Sequence, residues 1–488
     1  MDVFVNRMPR YEVLSQDAVA VLDKGWRRIV SEVGVQFAKP EAVALFAQAG
    51  QRVDGEVVYL DPEFVLEQVA KAPREFDIQA RNPANTVHIG GDHMVFGAVY
   101  GSPFVRQGGV RRDATLADFH HLCKLSQSFP QLDTAGGVIC EPNDAPLDSR
   151  HLDMVHALGT LTDKFYMGNV VSGPNAADTI AMTEILFGGG AGRAAGRASI
   201  ESVPATASLI NCNSPLRWDD RMLDAQFEYC AAGQPVVLTP FLLMGAMSPV
   251  TIPAALAQQL AEAFAGIALA QLIRPGCPVI FGSFLSNIDM QSGSPSFGTP
   301  ESAIGLLCTG QLARHYGLPF RTGGGLNSSQ TADAQAAYES LMTLLPTFLA
   351  GTNFVLHAAG WLEGGLVSCY EKFIIDIELL RELRVEFTPL EISEESLAFG
   401  AHVEVGHGGH FLGAAHTMER FRECFYRPLL SSTANFERWQ RYGGKDTTER
   451  AGEIWQATLD AYEPPPLDDA VRAELDDYVT RRRRELGD

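Results

Sequence analysis

The stretch GTPESAIGLLCTGQLARHYGLPF (298–320), continued by RTGGGLNSSQTADAQAAYES (321–340) and TNFVLHAAGWLEGGLVSCYEKFIIDIELL (352–380), decides the fold. It reads as two successive strand–loop–helix units. The strand Leu318–Thr322 runs into Gly323, Gly324, Gly325, Asn327 and Ser328. The strand Asn353–Leu356 runs into His357, Ala358, Ala359, Gly360 and Trp361. In a barrel of parallel strands, the side chains used for chemistry stand at such strand ends.

The same rhythm extends upstream to about Met94. Strands are expected at Val95–Tyr100, Leu132–Ile139, Phe165–Val171, Thr206–Asn211, Pro235–Phe241, Pro278–Phe284, Leu318–Thr322 and Asn353–His357. A helical segment follows each of them. Alternation with short connections demands a parallel sheet with helical crossovers, and eight strands close a (β/α)8 TIM barrel. An open doubly wound sheet is the alternative. Residues 1–93 read as an N-terminal α+β extension, 94–382 as the barrel, and 383–488 as a mixed tail packing on it.

The 488 residues carry a formal net charge of −21, which excludes a phosphate-binding nucleic-acid protein and suits a cytoplasmic one. The eight cysteines form no C-x-x-C pair and read as buried apolar residues in a reducing compartment. No run of 18 apolar residues spans a membrane. The longest apolar stretch, Thr251–Leu272, contains Gln258, Gln259, Glu262 and Gln271 and reads as a buried helix.

His357 ends a strand and should face the barrel mouth, which makes it the candidate catalytic residue. Tyr100 and Trp361, each beside a small-residue loop, lead the aromatic residues near strand ends, with Phe354 among them. Several rings converging on one point would hold a quaternary ammonium by cation–π attraction. Gly324, Gly325 and Asn327 bring backbone and amide donors close to a ligand. Gly188–Gly190 lacks the strand and spacing of a phosphate loop. His407, His410 and His416 could suggest zinc, but Gly408 and Gly409 break a helical i, i+3 placement, and no metal site is expected. Asp289, Glu301, Glu363 and Glu371 form no convincing acid–base pair. The chemistry expected is therefore positional, with reactivity supplied by a cofactor.

These segments, with VRQGGVRRDATLADF (105–119), TDKFYMGN (162–169), GGHFLGAAHT (408–417) and RWQRYGGKDTTERA (438–451), resemble the trimethylamine/glycine betaine corrinoid methyltransferases. The resemblance covers most of the chain and implies a (β/α)8 barrel that moves a methyl group from an amine to Co(I) of a separate corrinoid protein. Trimethylamine-specific members carry pyrrolysine, expected near Gly325–Gln330, where this chain has ordinary residues. That points to the pyrrolysine-free branch acting on quaternary amines such as glycine betaine, with His357 in the substrate site. No D-x-H-x-x-G motif for cobalamin occurs, so the corrinoid is expected on a partner protein. A quaternary-amine-binding relative without activity and a metal-dependent barrel hydrolase or lyase are the competing readings. A barrel with apolar helical faces often pairs as a homo-oligomer.

Overall fold

The computed structural model describes residues 3–188 and 200–488; Gly189, Gly190 and the run through Arg193 lie outside them. Seven parallel strands form the central sheet. They are β1 (His93–Phe96), β2 (Tyr166–Met167), β3 (Thr206–Cys212), β4 (Val236–Met244), β5 (Val279–Gly282), β6 (Phe320–Gly323) and β7 (Phe354–Leu356), in the spatial order β2-β3-β4-β5-β6-β7-β1. The pairing of β7 with β1 sets Phe354 opposite Val95 and curls the sheet back toward its own start.

Between the two outer strands lies residues 133–136. The Asp133 N–H donates to Phe96 O at 2.8 Å, Ala135 N–H to Phe165 O at 2.8 Å, and Met167 N–H to Gly136 O at 2.7 Å. The strand expected over Leu132–Ile139 is thus reduced to single bridges at Thr134 and Cys140. Its glycines explain why. Gly136 turns the chain at φ +90°, and a Cβ on Gly137 would sit 2.7 Å from the Tyr100 ring. The expected strand Val95–Tyr100 likewise stops at Phe96.

The crossover helices are α1 (Leu116–Ser128), α2 (Arg150–Leu161), α3 (Gly173–Gly188), α4 (Asp220–Ala231), α5 (Ile252–Ile273), α6 (Pro300–Tyr316), α7 (Ala334–Ala350) and α8 (Tyr370–Glu386). Their ends are written in the sequence. Thr115 and Asp118 form a capping box on α1. Thr299 caps α6 ahead of Pro300, and Gly317 ends it at φ 70°. Helix α5 is long and apolar enough to cross a membrane, yet 89% of its apolar window is buried within this chain. It is apolar all round because it packs on every side: the helices Gln16–Arg28 and Pro62–Val69, α4, α6 and β4 surround it.

The N-terminal segment adds a small sheet, Val35–Phe37, Arg52–Asp54 and Val57–Tyr59, completed by Arg217–Trp218 from the loop after β3. Its apolar residues share one core with α5. After α8 the chain divides. Helices Thr447–Asp460 and Asp469–Leu486 pack on the body, the first against α8 and the second against α2 and α3. Residues 388–428 stand almost entirely exposed.

Candidate functional site

The C-terminal ends of β4 to β7 converge on Arg321 and His357. Arg321 is 1% exposed. Its Nη2 lies 3.1 Å from His357 Nε2, and its Nε has no hydrogen-bond partner. A guanidinium can only donate, so His357 Nε2 accepts and the proton sits on Nδ1. That Nδ1 is also buried without a partner. Burial first, and Arg321 second, hold the imidazole neutral, well below its ordinary pKa. Burial alone pushes Arg321 down to about 9, with no carboxylate compensating it. A buried guanidinium without an anion costs free energy.

Two further unpartnered hydroxyls border this pair. Tyr100 is half-buried, and burial pushes its hydroxyl above its usual range. Thr239 Oγ1 lies against Gly282, which stands opposite Arg321 in the β5–β6 register. Four buried polar atoms without a hydrogen-bond partner, Arg321 Nε, His357 Nδ1, Tyr100 OH and Thr239 Oγ1, thus lie on or just after the strands of this part of the sheet.

A wall of rings closes the other side. His357 and Trp361 have centroids 4.5 Å apart, and Phe284 lies 5.7 Å from His357. Phe297 packs edge-on against both Phe284 at 5.4 Å and Trp361 at 5.6 Å. Phe241 stacks on Phe284 at 4.9 Å. Phe284 begins the strand Phe284–Ile288 that continues the line of β5, and Phe297 closes the loop before α6.

His357 reaches this position because the strand ends one residue earlier than expected, at Leu356. His357 then turns with φ 60°, a left-handed conformation rare for a residue with a Cβ. The loop after β6 must lie flat against it. A Cβ on Gly324 would meet Val355 at 2.8 Å and the Ala358 backbone at 3.0 Å. Gly324 N–H donates to Leu356 O and Gly325 N–H to His357 O, so these two amides are already committed and leave no donor for a ligand. Asn327 is fully buried: its Nδ2 donates to Trp361 O at 2.6 Å, while its main-chain carbonyl accepts from Trp361 Nε1 at 3.1 Å. It holds the ring in place from behind.

Beneath it, the buried Lys372 Nζ donates to Ser340 Oγ at 2.7 Å and pairs with Asp376. Asp376 accepts the Gly360 N–H at 2.9 Å, tying α8 to the loop that carries Trp361.

Of the residues singled out by sequence, the structure brings His357 and Trp361 together, with Tyr100 at their border. Phe354 stands opposite Arg321 in the β6–β7 register and packs in the apolar cluster that includes Phe165 and Val95. The candidate carboxylates are engaged elsewhere: Glu363 with Arg111, Glu371 with the Gly108 N–H. His407, His410 and His416 lie in the exposed 388–428 segment, and no cluster fit for a metal occurs among the described residues. Sequence reading missed Arg321. The only signal was an arginine inside an apolar strand, two residues before a glycine run.

Residues 1–487 match the trimethylamine methyltransferase (MTTB) family. The chain belongs to that family. The relatives include a glycine betaine methyltransferase of Desulfitobacterium hafniense, 40% identical over 99% of both chains. A proline betaine:corrinoid methyltransferase of Eubacterium limosum is 28% identical, covering 98% of this chain and 99% of its own. Among solved structures, the Methanosarcina barkeri monomethylamine methyltransferase shares the fold at a TM-score of 0.53 and 10% identity, over 94% of this chain and 90% of its own. The fold of this MTTB-family chain is thus mixed α/β around a curved parallel sheet.

Proposed function

We propose that the protein transfers a methyl group from a glycine betaine-like quaternary amine to Co(I) carried by a separate corrinoid protein. One observation carries this reading: a buried arginine without a carboxylate stands beside a neutral histidine, under a wall of aromatic rings. Such a site complements a zwitterion. Arg321 and the His357 Nδ1–H hold the carboxylate, a charge-assisted contact in a low dielectric. Phe284, Phe297 and Trp361 face the ammonium, each desolvated ring contributing ~1–2 kcal/mol. The likeness to the betaine methyltransferases of two organisms supports the same substrate class.

The chemistry asks little of the side chains. The quaternary nitrogen already carries its charge and leaves as a neutral tertiary amine, so no proton is delivered. A site with a neutral histidine suits that. Arg321 and His357 anchor one end of the substrate, and the rings orient the methyl that is transferred. Positioning of this kind contributes by fixing the in-line geometry.

The sheet is read as a closed (β/α)8 barrel, with residues 133–136 as its eighth strand. Their hydrogen bonds to Phe96, Phe165 and Met167 on both sides support this. The division into 1–93, 94–382 and 383–488 follows from it. Eight free cysteines, seven of them buried, support a cytoplasmic location.

The test is Co(I) methylation followed by visible absorbance, with glycine betaine, proline betaine, choline and trimethylamine. Turnover with a betaine, lost with choline and trimethylamine, is the expected result. Equal turnover with choline would remove the carboxylate role, and no turnover with any amine would remove the reading.

A further inference from the structure

The register of the central sheet sets Asn211, Thr239, Gly282, Arg321, Phe354 and Val95 in one row across β3, β4, β5, β6, β7 and β1. Residues level with one another in a parallel sheet point to the same face. Val237, two residues before Thr239, packs with Leu209, Ile280 and Phe354, so the row faces the inside of the sheet's curve. Its character changes along its length. Val95 and Phe354 are apolar and packed, whereas Arg321, Thr239 and Asn211 are polar, with a glycine set among them.

Thr239 is 1% exposed, and its Oγ1 has no hydrogen-bond partner. Buried threonines nearby spend their hydroxyls on the backbone. Thr206 Oγ1 donates to Tyr166 O at 2.8 Å, and Thr134 Oγ1 donates to Phe165 O at 2.9 Å. An unpartnered buried hydroxyl costs free energy that a valine would not, and valine suits a strand at least as well. A threonine at 239 is therefore a burden on the unliganded fold.

The neighbours leave that hydroxyl uncovered. A Cβ on Gly282 would lie 1.9 Å from Thr239 Oγ1, so any side chain at 282 would displace it. The Thr239 hydroxyl thus occupies the space over Gly282. From the opposite strand, Arg321 leans the same way. Its Cζ lies 5.8 Å from the centre of the Phe284 ring, two residues beyond Gly282 along the line of β5. Its Nε is buried and unpartnered as well. Two donors from β4 and β6 therefore converge over β5. A guanidinium can only donate, so what meets both groups must be an acceptor. A carboxylate suits this best, with two oxygens and about four lone-pair sites.

We propose that the Thr239 hydroxyl donates to the substrate's carboxylate across Gly282, sharing it with Arg321, and that Thr239 and Gly282 thereby select a quaternary amine that bears a carboxylate. The assignment rests on the betaine reading of the same site. Thr239 meets the anionic end of the substrate and not the methyl that leaves. Its contribution is to binding, equal in the ground and transition states, so its loss raises KM and spares kcat.

Calorimetry of the full chain with glycine betaine, without any corrinoid protein, tests the contact apart from methyl transfer. Thr239→Val and Thr239→Ala should each raise Kd about ten- to a hundredfold, as for a hydrogen bond to a charged group. Thr239→Ser should restore most of the affinity. The unliganded Thr239→Val protein should melt no lower than wild type, because the hydroxyl it loses bonds to nothing there; a threonine that merely held the strand would lower the melt. Infrared spectroscopy of carboxyl-labelled glycine betaine reads the bond itself. The antisymmetric carboxylate stretch of the bound ligand should shift in Thr239→Val and return in Thr239→Ser. Valine and alanine variants that bind as tightly as wild type would overturn the proposal, as would a stretch that stays unchanged. A wild-type chain that binds no betaine would remove the substrate reading and this contact with it.

Discussion

The loop after β7 and the arm 388–428 are written in nearly the same residues and meet opposite fates. LHAAGWLEGG (356–365) and GHGGHFLGAAH (406–416) both mix histidine, a large apolar residue, alanine and several glycines. In the first, His357 and Trp361 are 5% and 4% exposed, fixed by Arg321, Asn327 and the Lys372–Asp376 pair. In the second, His407 and His410 stand in solvent and Leu412 is 79% exposed. Local composition made neither of them a site. Elements far away in the sequence supply the burial and the fixed donors that perturb a histidine, and only the first loop has them.

The sharpest way to break this contrast is to loosen the buried loop. Lys372→Met leaves Asp376 uncompensated at full burial and should destabilise the fold by about 3–5 kcal/mol, read from denaturant melts. Adding Asp376→Leu should recover much of that, because an apolar pair needs no counter-charge. Arg321→Met keeps the volume but removes the anchor for the carboxylate, and should lower kcat/KM for a betaine on the order of 10²–10³-fold in the methylation assay, a loss of about 3–4 kcal/mol in transition-state binding. An Arg321→Lys protein that kept full activity would show that the planar fork does not matter.

Phe297→Leu preserves apolar burial and removes one ring face. The expected loss is ~1–2 kcal/mol in betaine affinity by calorimetry, with stability little changed.

The pH dependence follows from the two shifted groups. His357 is held neutral well below 6.5, so betaine affinity should show no step near 6.5. Arg321 is charged below about 9 in the unliganded site and loses its proton above it, so affinity should fall as pH rises past about 9. Binding near that pH should take up protons, because the substrate carboxylate restores the guanidinium's basicity. A histidine-like step near neutrality would mean that His357 titrates and that the loop is wetter than its burial implies.

The smallest effect belongs to the arm. His407→Ala or His410→Ala should change stability by no more than about 0.5 kcal/mol and leave methylation unaltered, as expected for exposed side chains.

The sequence by itself determined the alternation of strands and helices, because apolar period and helix caps are local signals. The burial of α5 was legible in that way. His357 and Trp361 were legible as strand-end residues. Tertiary structure decided the rest. The pairing of the run 132–139 shrank to residues 133–136 before Gly136 and Gly137, where the Tyr100 ring and Met167 crowd the backbone. Phe354, opposite Arg321 in the register, packs among Phe165 and Val95, since a period of two fixes a face but not what meets it there. Arg321 became the anchor only when its neighbours withheld a carboxylate. The absence of a counter-charge around a buried group is a property of three-dimensional surroundings, and no window of sequence contains it.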